Sequence, residues 1–235
     1  MPYFILFLVL LMSNSLVFAD SAFIDKIYHP YVQPHEKEFE WRLILQDGHQ
    51  NSDRQNVVRN RFAYGQSFND RWFSEVYLIA EKNNDQQLKI TAIELETLWQ
   101  ITEQGEYGAD FGLLVELEHE IDNDISEIST AFLIEKEWGK WSATSNLYLI
   151  YEWGKRIQNE FETAASLQVK YRYSKAVEPA IELYASEFSK GMGPVLLGGL
   201  RLGGRKKLKW EAGLIFGLNK VTPDRTARFL IEFEF

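Results

Sequence analysis

The chain has 235 residues and a formal net charge of −9, and an acidic chain is a poor partner for nucleic acid, whose phosphates are neutralised by Lys and Arg. It contains no cysteine, which excludes disulfide bonds, thiolate metal sites and cysteine nucleophiles. Aromatic residues make up 14% of the chain and there are only 6 prolines, a composition that favours extended, paired strands.

The first residues have the features of an export signal. Residues 3–12 are continuously apolar, residues 13–15 interrupt the run, and small residues precede Asp20. A run of about ten apolar residues is too short to span a bilayer as a helix, which needs about 20. We therefore predict a cleaved signal peptide at residues 1–19, with cleavage after Ala22 as the alternative.

The next segment, residues 20–35, contains Pro30 and Pro34 and shows no sustained alternation. Prolines favour extended, irregular backbone, so we predict a periplasmic N-terminal lead-in. From residue 36 onward, apolar and polar residues alternate, which is typical of strands with one apolar and one polar face. The predicted strands lie at residues 38–46, 58–64, 72–81, 88–100, 107–118, 127–138, 143–153, 160–173, 177–185, 196–202, 208–218 and 226–235.

These segments predict an all-β chain, in which residues 36–235 form a single antiparallel up-and-down β-barrel of about 12 strands. Leu88 and Ile90 have even numbers, whereas Ile93 and the apolar residues after it have odd numbers. The apolar residues therefore change face within this strand, and a β-bulge near Thr91 would explain the change. An even strand number places both termini on one side. We expect long outer connections at 47–56, 82–87, 120–126, 154–159, 188–193 and 218–224, and short periplasmic turns at 68–70, 104–105, 139–140, 174–175 and 204–206.

The last strand alternates completely and ends on the terminal residue of the chain. Its apolar face resembles the insertion signal of bacterial outer-membrane β-barrels, and we predict an assembly signal made of Phe229, Ile231, Phe233 and Phe235. Tryptophans and tyrosines also concentrate at strand ends, as in interfacial girdles. The predicted location is the outer membrane of a Gram-negative cell, with lipid and the barrel-assembly machinery as partners. A soluble sandwich or lipocalin-like barrel is the alternative, because parity alone does not separate the two.

In a membrane barrel, the side chains on the polar face of each strand line the lumen. The candidate lumen-lining residues are Glu40, Arg42, Arg59, Arg61, Glu75, Glu94, Glu96, Glu116, Glu162, Lys170, Arg172, Glu182, Arg201, Glu211, Arg228 and Glu232. One interpretation is an acidic aqueous passage that favours cations or polar zwitterions. The other is a nearly filled barrel in which acidic and basic side chains pair.

Catalytic and metal sites are not supported by the sequence. His119 and Ser145 share a parity two strands apart, but no motif joins them. His29 and His35 lack the spacing of metal ligands, and the glycines near the C-terminus form no strand-to-helix phosphate loop. We therefore predict no enzyme activity, cofactor or metal.

Short segments at both ends of the chain resemble known groups of proteins. Residues 27–32 (IYHPYV) and 36–41 (EKEFEW) are similar to a group of uncharacterised proteobacterial outer-membrane barrels. Residues 193–195 (GPV), 207–214 (KLKWEAGL) and 216–218 (FGL) resemble the phenol-degradation meta-pathway type of transporters. The resemblance implies passive passage and supplies no catalytic residues. We predict a passive channel or narrow transporter for small polar or aromatic solutes. The alternative is a closed structural or sensory barrel that acts through partner contacts.

Overall fold

The computed structural model describes residues 24–47, 56–83, 87–155 and 157–235, so the predicted signal peptide lies outside the described residues. Among the described residues, no helix has the length and apolar character needed to cross a membrane. The same residues form twelve strands: β1 (Lys37–Gln46), β2 (Val57–Ser67), β3 (Trp72–Asn83), β4 (Lys89–Gln100), β5 (Asp110–Glu120), β6 (Ile125–Trp138), β7 (Trp141–Gly154), β8 (Glu160–Tyr171), β9 (Glu178–Ser186), β10 (Lys190–Gly203), β11 (Lys206–Gly217) and β12 (Arg225–Glu234).

Each strand pairs with its sequence neighbours, and β1 pairs with β12 to close the barrel. The closing pair is antiparallel, with Trp41 opposite Ile231 and Leu43 opposite Phe229. The prediction of a single antiparallel up-and-down barrel is therefore confirmed. We call the end where β12 finishes the C-terminal rim and the opposite end the distal rim; at the C-terminal rim the Phe235 N–H donates to the Lys37 carbonyl at 2.9 Å.

The predicted bulge lies in β4. Ile79 of β3 pairs with Ala92, whereas the next residue, Ala80, pairs with Ile90, and this leaves Thr91 as the extra residue. One extra residue changes which face a side chain occupies. This explains why the apolar parity changes along β4.

The connections differ from the predicted alternation of long and short loops. The β4–β5 connection at the C-terminal rim spans residues 101–109, whereas the β9–β10 connection at the distal rim spans only 187–189. The first is a folded loop in which the Gly105 N–H donates to Asp110 Oδ1 at 2.8 Å. The second is short because β10 begins early; at Gly193 a Cβ atom would lie 1.9 Å from the Leu214 carbonyl oxygen, so only glycine allows this pairing.

The barrel wall is apolar outside and charged inside. Leu149 and Phe161 are 53% and 67% exposed on the outer face, whereas Arg42 and Arg228 are fully buried in the interior. Aromatic rings stack at the C-terminal rim, with centroids 5.4 Å apart for Trp72 and Trp99. A soluble barrel would have the reverse arrangement, so this wall suits a lipid environment.

Residues 24–34 lie inside the barrel, and we call them the plug segment. Ile24 packs near the distal rim with Val195 and Ile215, and the chain then runs toward the C-terminal rim, where the Glu36 N–H donates to Ser67 Oγ at 2.8 Å. This placement differs from the periplasmic lead-in that the sequence predicts. The reason is that the segment carries apolar residues that become buried against the inner wall: Ile24, Ile27, Tyr28 and Val32.

Candidate functional site

Two apolar patches on the inner wall hold the plug segment. Ile24 and Ile27 enter a patch on β9–β11 that consists of Ala180, Tyr184, Val195, Leu197 and Ile215. Tyr28 enters a second patch on β5–β8 that consists of Leu114, Ala131, Leu133, Tyr148, Ile150 and Ala164. Burying a large apolar side chain contributes about 1.5–3 kcal/mol. These three residues therefore supply much of the stabilisation that keeps the segment in the barrel.

Asp25 is surrounded by arginines of the wall. Its carboxylate accepts from Arg42 and from Arg61 Nη1, the latter at 2.8 Å. Its backbone carbonyl accepts from Arg228 and from the Tyr184 hydroxyl. Hydrogen bonds of this charge-assisted kind are about twice as strong as neutral ones, so Asp25 fixes the position of the plug segment along the barrel axis.

Lys26 is bound by carboxylates of the wall. Its Nζ lies 2.7 Å from Glu40 Oε2 and 3.5 Å from Glu75 Oε2, and it donates to the Tyr77 hydroxyl at 3.0 Å. The two neighbouring plug residues thus present a carboxylate and an ammonium group to separate complementary parts of the wall. Buried charges need such partners, because an unpaired one is strongly destabilising.

After Lys26, the backbone of the plug segment forms hydrogen bonds with side chains of the wall. The amide group of Asn146 accepts from the Tyr28 N–H and donates to the Tyr28 carbonyl, both at 2.8 Å. Gln100 Oε1 accepts from the Val32 N–H at 2.7 Å. Since buried backbone groups must be paired, Asn146 and Gln100 replace the partners that a neighbouring strand would supply.

Three further side chains of the plug segment bind the β4–β6 side of the wall. The Tyr28 hydroxyl donates to Glu96 Oε1 at 2.5 Å, and the Tyr31 hydroxyl donates to Asp110 Oδ2 at 2.8 Å. His29 Nδ1 lies 2.5 Å from Glu135 Oε2. This part of the segment therefore lies to one side of the barrel axis.

Gly112 on β5 allows the plug segment to approach the wall closely. A Cβ atom at this position would lie 2.9 Å from Pro30 Cβ and 3.0 Å from Pro30 Cα. Any larger residue would push the segment away from the wall. The need for glycine here comes from packing against the plug, because no left-handed backbone conformation is recorded at Gly112.

The barrel contains a cavity of about 470 Å³ beside the plug segment, and its lining comes from β1, β3–β5 and β8–β12. This volume lies in the range of about 300–1,000 Å³ that is usual for small-molecule sites. Its lining is mixed: Leu197 and Trp210 are apolar, and charged residues surround them. Several of these charges are paired, since Lys170 lies 3.3 Å from Glu178 and Lys209 lies 2.6 Å from Glu232.

The predicted lumen residues have three kinds of environment. Those buried in the interior are Glu40, Arg42, Arg61, Glu75, Glu94, Glu96, Glu162, Glu182 and Arg228. Those partly buried on the same inner face are Arg59, Glu116, Lys170, Glu211 and Glu232. Arg172 follows β8 and pairs with Glu137, while Arg201 is exposed at the edge of the cavity.

Many of the interior charges form ion pairs across neighbouring strands. Arg228 Nη2 lies 3.0 Å from Glu182 Oε1 and also 3.0 Å from Glu211 Oε2, and Arg61 pairs with Glu94. The interior is therefore a network of matched charges around the plug segment, rather than a bare acidic surface.

Two groups of carboxylates could in principle hold a metal ion. Within each group the oxygens lie within 4.8 Å of one another: Glu36, Glu38, Glu232 and Glu234 in one, and Glu94, Glu96 and Glu116 in the other. The chain supplies a cation to each, because Lys209 lies 2.6 Å from Glu232 and Arg61 pairs with Glu94.

Burial and the carboxylate of Glu234 raise the pKa of Glu36 to about 8, although Lys209 opposes the shift.

The histidines of the sequence analysis have ordinary partners. His119 lies 3.0 Å from the Ser126 hydroxyl in an exposed position, and Ser145 lies on β7, opposite Ile134 and Leu167. His29 is inside the barrel beside Glu135. His119 and Ser145 do not meet, because their partners on β6, Ser126 and Ile134, are eight residues apart.

The predicted assembly signal lies on the outer face at the C-terminal rim. Phe229, Ile231 and Phe235 are exposed, and Phe233 stacks on Phe235 with ring centroids 5.9 Å apart. Phe235 also stacks on Phe39 of β1 at 5.5 Å. The closing strand therefore presents a continuous aromatic surface beside the barrel closure.

Sequence reasoning missed the apolar residues of the inner wall. Ile44, Leu133, Ile150, Val195 and Ile215 lie on the inward parity and are buried. In the sequence, each of them appears as an apolar residue at a position where the alternation predicts an inward-facing polar residue. Such residues indicate that something apolar lies inside the barrel.

No family model matches the chain, and no curated protein matches it either. Solved structures do. The KdgM porin in complex with disordered oligogalacturonate superposes with a TM-score of 0.56 at 10% identity, over 84% of this chain and 98% of that one. The COG4313 outer membrane channel from Pseudomonas putida F1 gives 0.57 at 12% identity, over 90% and 98%.

The chain has the fold of outer-membrane porin barrels. The β domain of the Bordetella autotransporter BrkA shares it too, with a TM-score of 0.52 at 12% identity over 86% of this chain and 98% of that one. At this level of identity the similarity concerns the fold, and the function has to be argued from the interior.

Proposed function

We propose that the protein is an outer-membrane channel for small polar solutes, and that the plug segment closes it. The C-terminal rim faces the periplasm in this proposal, since the closing strand β12 ends there and two-residue turns such as 139–140 usually face that compartment. The apolar outer face and the porin-like fold support the outer-membrane location. Export by the signal peptide and delivery by the assembly machinery are part of the same proposal.

The observation that carries the proposal is that the wall is complete without the plug segment. β1 pairs with β12 along its whole length, and residues 24–34 form no strand in the part of the chain that is described. Among the described residues, the segment is held by side-chain packing, ion pairs and hydrogen bonds to side chains. It can therefore leave without breaking the barrel, and the space that it leaves is a passage lined by charged groups.

Closure is then a two-state equilibrium between seated and released plug. A minor state that lies a few kcal/mol above the major one is populated at about 0.1–10%. The apolar patches favour the seated state, so the wild-type channel is closed most of the time and conducts in brief openings.

The second candidate is the closed structural or sensory barrel. The observation that favours it is the filling of the interior, in which charged groups such as Arg42 and Arg228 are fully buried. In this version the plug segment is a permanent part of the core, and passage does not occur.

The aromatic-solute version, drawn from the resemblance to the phenol-degradation type of transporters, remains a prediction. Apolar groups such as Leu197 and Trp210 line part of the cavity, which is compatible with an aromatic solute. The charged partners at Asp25 and Lys26 support polar solutes more strongly, so the proposal gives polar solutes first place.

The test is planar-bilayer conductance of the refolded full chain and of a variant without residues 24–34. Folding of both is verified first by their different migration in boiled and unboiled detergent gels. The proposal predicts rare openings for the full chain and steady current for the variant. A synthetic peptide of residues 24–34 should then block the variant from the periplasmic side. A folded variant that carries no current would support the closed structural barrel instead.

A further inference from the structure

The plug segment shows which charges the wall can bind at the centre of the barrel. Asp25 and Lys26 are adjacent in sequence, and each one meets the opposite charge on the wall. Arg42 and Arg61 contact the carboxylate, while Glu40 and Glu75 contact the ammonium group. The wall therefore has two neighbouring sites of opposite charge.

One hydroxyl group links the two sites. The Tyr77 oxygen lies 3.2 Å from Arg42 Nη2, 3.0 Å from Lys26 Nζ and 3.0 Å from Glu75 Oε2. The anion site and the cation site are thus each one hydrogen bond away from the same oxygen. This spacing suits a molecule whose opposite charges are separated by a few bonds.

The wall also contains a hydrogen-bond acceptor that the plug segment does not use. Glu75 is 4% exposed, and its Oε1 atom has no hydrogen-bond partner. An ammonium group has three donors, and an α-ammonium group beside Glu75 could use this oxygen as well as Oε2. Buried acceptors without a partner are uncommon, and an ammonium group of a ligand would satisfy this one.

We propose that in the open channel this part of the wall binds a small zwitterion, an amino acid or short peptide, in place of Asp25 and Lys26. The carboxylate of the solute contacts Arg42 and Arg61, and its ammonium group contacts Glu40 and Glu75. This inference rests on the proposed function, because the site is free only when the plug segment has left. It names the solute class that the same passage would carry.

Other solutes satisfy the wall less well. An anion fills the arginine site but leaves Glu75 without a cation, while Glu40 keeps Arg42 as its partner. A cation leaves Arg42 and Arg61 with Glu40 and Glu94 alone. A neutral molecule of the same size supplies neither charge, and a buried carboxylate such as Glu75 without a cation is costly. The wall groups that Asp25 and Lys26 satisfy therefore favour a solute that carries both charges.

The cavity provides the exit from this site. Lys26 and Glu75 line its inner end, and Lys207 and Arg201 line it toward the C-terminal rim. This space measures about 470 Å³ with the plug segment seated, and a solute that leaves the central site of the open channel can enter it without crossing the wall.

The test uses four probes of nearly equal size on the variant without residues 24–34. Glycylglycine carries both charges, N-acetylglycine is an anion, glycylglycinamide is a cation and N-acetylglycinamide is neutral. The half-blocking concentration of each is measured from single-channel current. We expect that of glycylglycine to be about tenfold lower than that of any other probe, which corresponds to about 1.4 kcal/mol.

A substitution separates the two sites. Glu75→Gln should raise the half-blocking concentration of glycylglycine to that of N-acetylglycine, while block by N-acetylglycine itself changes little. The matched control is Glu81→Gln, because Glu81 also faces inward but pairs with Arg59 near the distal rim. The control should keep the preference for glycylglycine. If the deletion variant does not fold, the full chain with Ile27→Asp takes its place, because a carboxylate in the apolar patch around Val195 and Ile215 should release the plug segment.

The outcomes separate this inference from the proposed function. A folded but silent channel overturns the proposed function, and the inference with it. Steady current with equal block by all four probes leaves the channel intact and overturns the zwitterion site alone. Preferential block by N-acetylglycine or by glycylglycinamide would also overturn it, because one site would then suffice.

Discussion

The plug segment is held by two different parts of the wall. On β1–β3, charged groups meet Asp25 and Lys26; on β5–β11, apolar patches receive Ile24, Ile27 and Tyr28. Charges can exchange one partner for another, such as water or a solute. Apolar side chains have no such replacement in an aqueous passage. Under the proposed function, apolar contacts keep the channel closed and charged contacts determine which solute can replace the plug segment.

The largest effect is expected at the apolar side. Ile27→Asp places a carboxylate in the patch around Val195 and Ile215, where it has no cation in the described contacts and costs several kcal/mol. The plug segment should leave, and single-channel recordings should show current close to that of the deletion variant. Ile27→Val is the matched control, because it costs only about 0.5–1.5 kcal/mol. If the control opened the channel as fully as the aspartate, the apolar contact would not be the determinant.

A smaller effect is expected at the charged side. Asp25→Asn removes the anion, but Arg42 keeps Glu40 and Arg61 keeps Glu94 as partners. Losing a charge-assisted hydrogen bond costs about 1.5–3 kcal/mol, so the open probability should rise by about tenfold to a hundredfold. Open probability in planar bilayers measures it, with Asp25→Glu as the conservative control. An effect as large as that of Ile27→Asp, or larger, would contradict the view that the apolar contacts dominate closure.

A third prediction concerns the contact between Pro30 and Gly112. Gly112→Val places methyl groups where the plug backbone lies, since even a Cβ would be 2.9 Å from Pro30 Cβ. The variant should open more often than wild type while its barrel melts at a similar temperature. Gly108→Val is the matched control, because a Cβ there meets nothing within 4 Å. Equal open probability for both variants would show that the plug segment does not press against β5.

The smallest effect is a dependence on pH at the base of the plug segment. Burial and Glu234 raise the pKa of Glu36 to about 8, from an ordinary value of 4.5. The folded protein therefore holds a proton that the unfolded chain releases, so this contribution to stability is lost as the pH rises from about 4.5 to about 8. The melting temperature of the wild-type protein should fall between pH 6 and pH 9, and that of Glu36→Gln should fall less. Each kcal/mol of stability that the wild type loses corresponds to about 2–4 °C.

The control for Glu36 is Glu187→Gln, in an exposed position at the distal rim. It should melt with the same pH dependence as wild type. An unchanged pH dependence in Glu36→Gln would show that the carboxylates around Lys209 do not crowd one another in the folded state.

The wall could be predicted from the sequence because lipid imposes one rule on every strand. Phe229, Ile231 and Phe233 follow the alternation, and the change of parity at Thr91 was sufficient to locate a bulge. The loops were harder, because 101–109 folds through contacts such as Gly105 with Asp110 that alternation does not encode.

The plug segment could not be predicted in the same way. Ile24, Ile27, Tyr28 and Val32 have the spacing of a helical face, yet residues 24–34 form neither helix nor strand. Their positions are set by two apolar patches and by Gln100 of the wall, which the segment's own sequence does not reveal. Parity predicted the candidate lumen residues, but their pairing depends on register across strands. Arg228, for example, meets Glu182 of β9 and Glu211 of β11.

The central claim, that the plug segment closes the channel by moving in and out, is tested most directly by a reversible cross-link. The chain contains no cysteine, so Pro30→Cys with Gly112→Cys provides one pair. The built Cβ of Gly112 lies 2.9 Å from Pro30 Cβ, and a shift of about 1 Å reaches the usual disulfide separation of about 3.8 Å. We predict a closed channel when the pair is oxidised and current when a reductant is added. Equal current in both states, with the disulfide verified by mass spectrometry, would contradict the account.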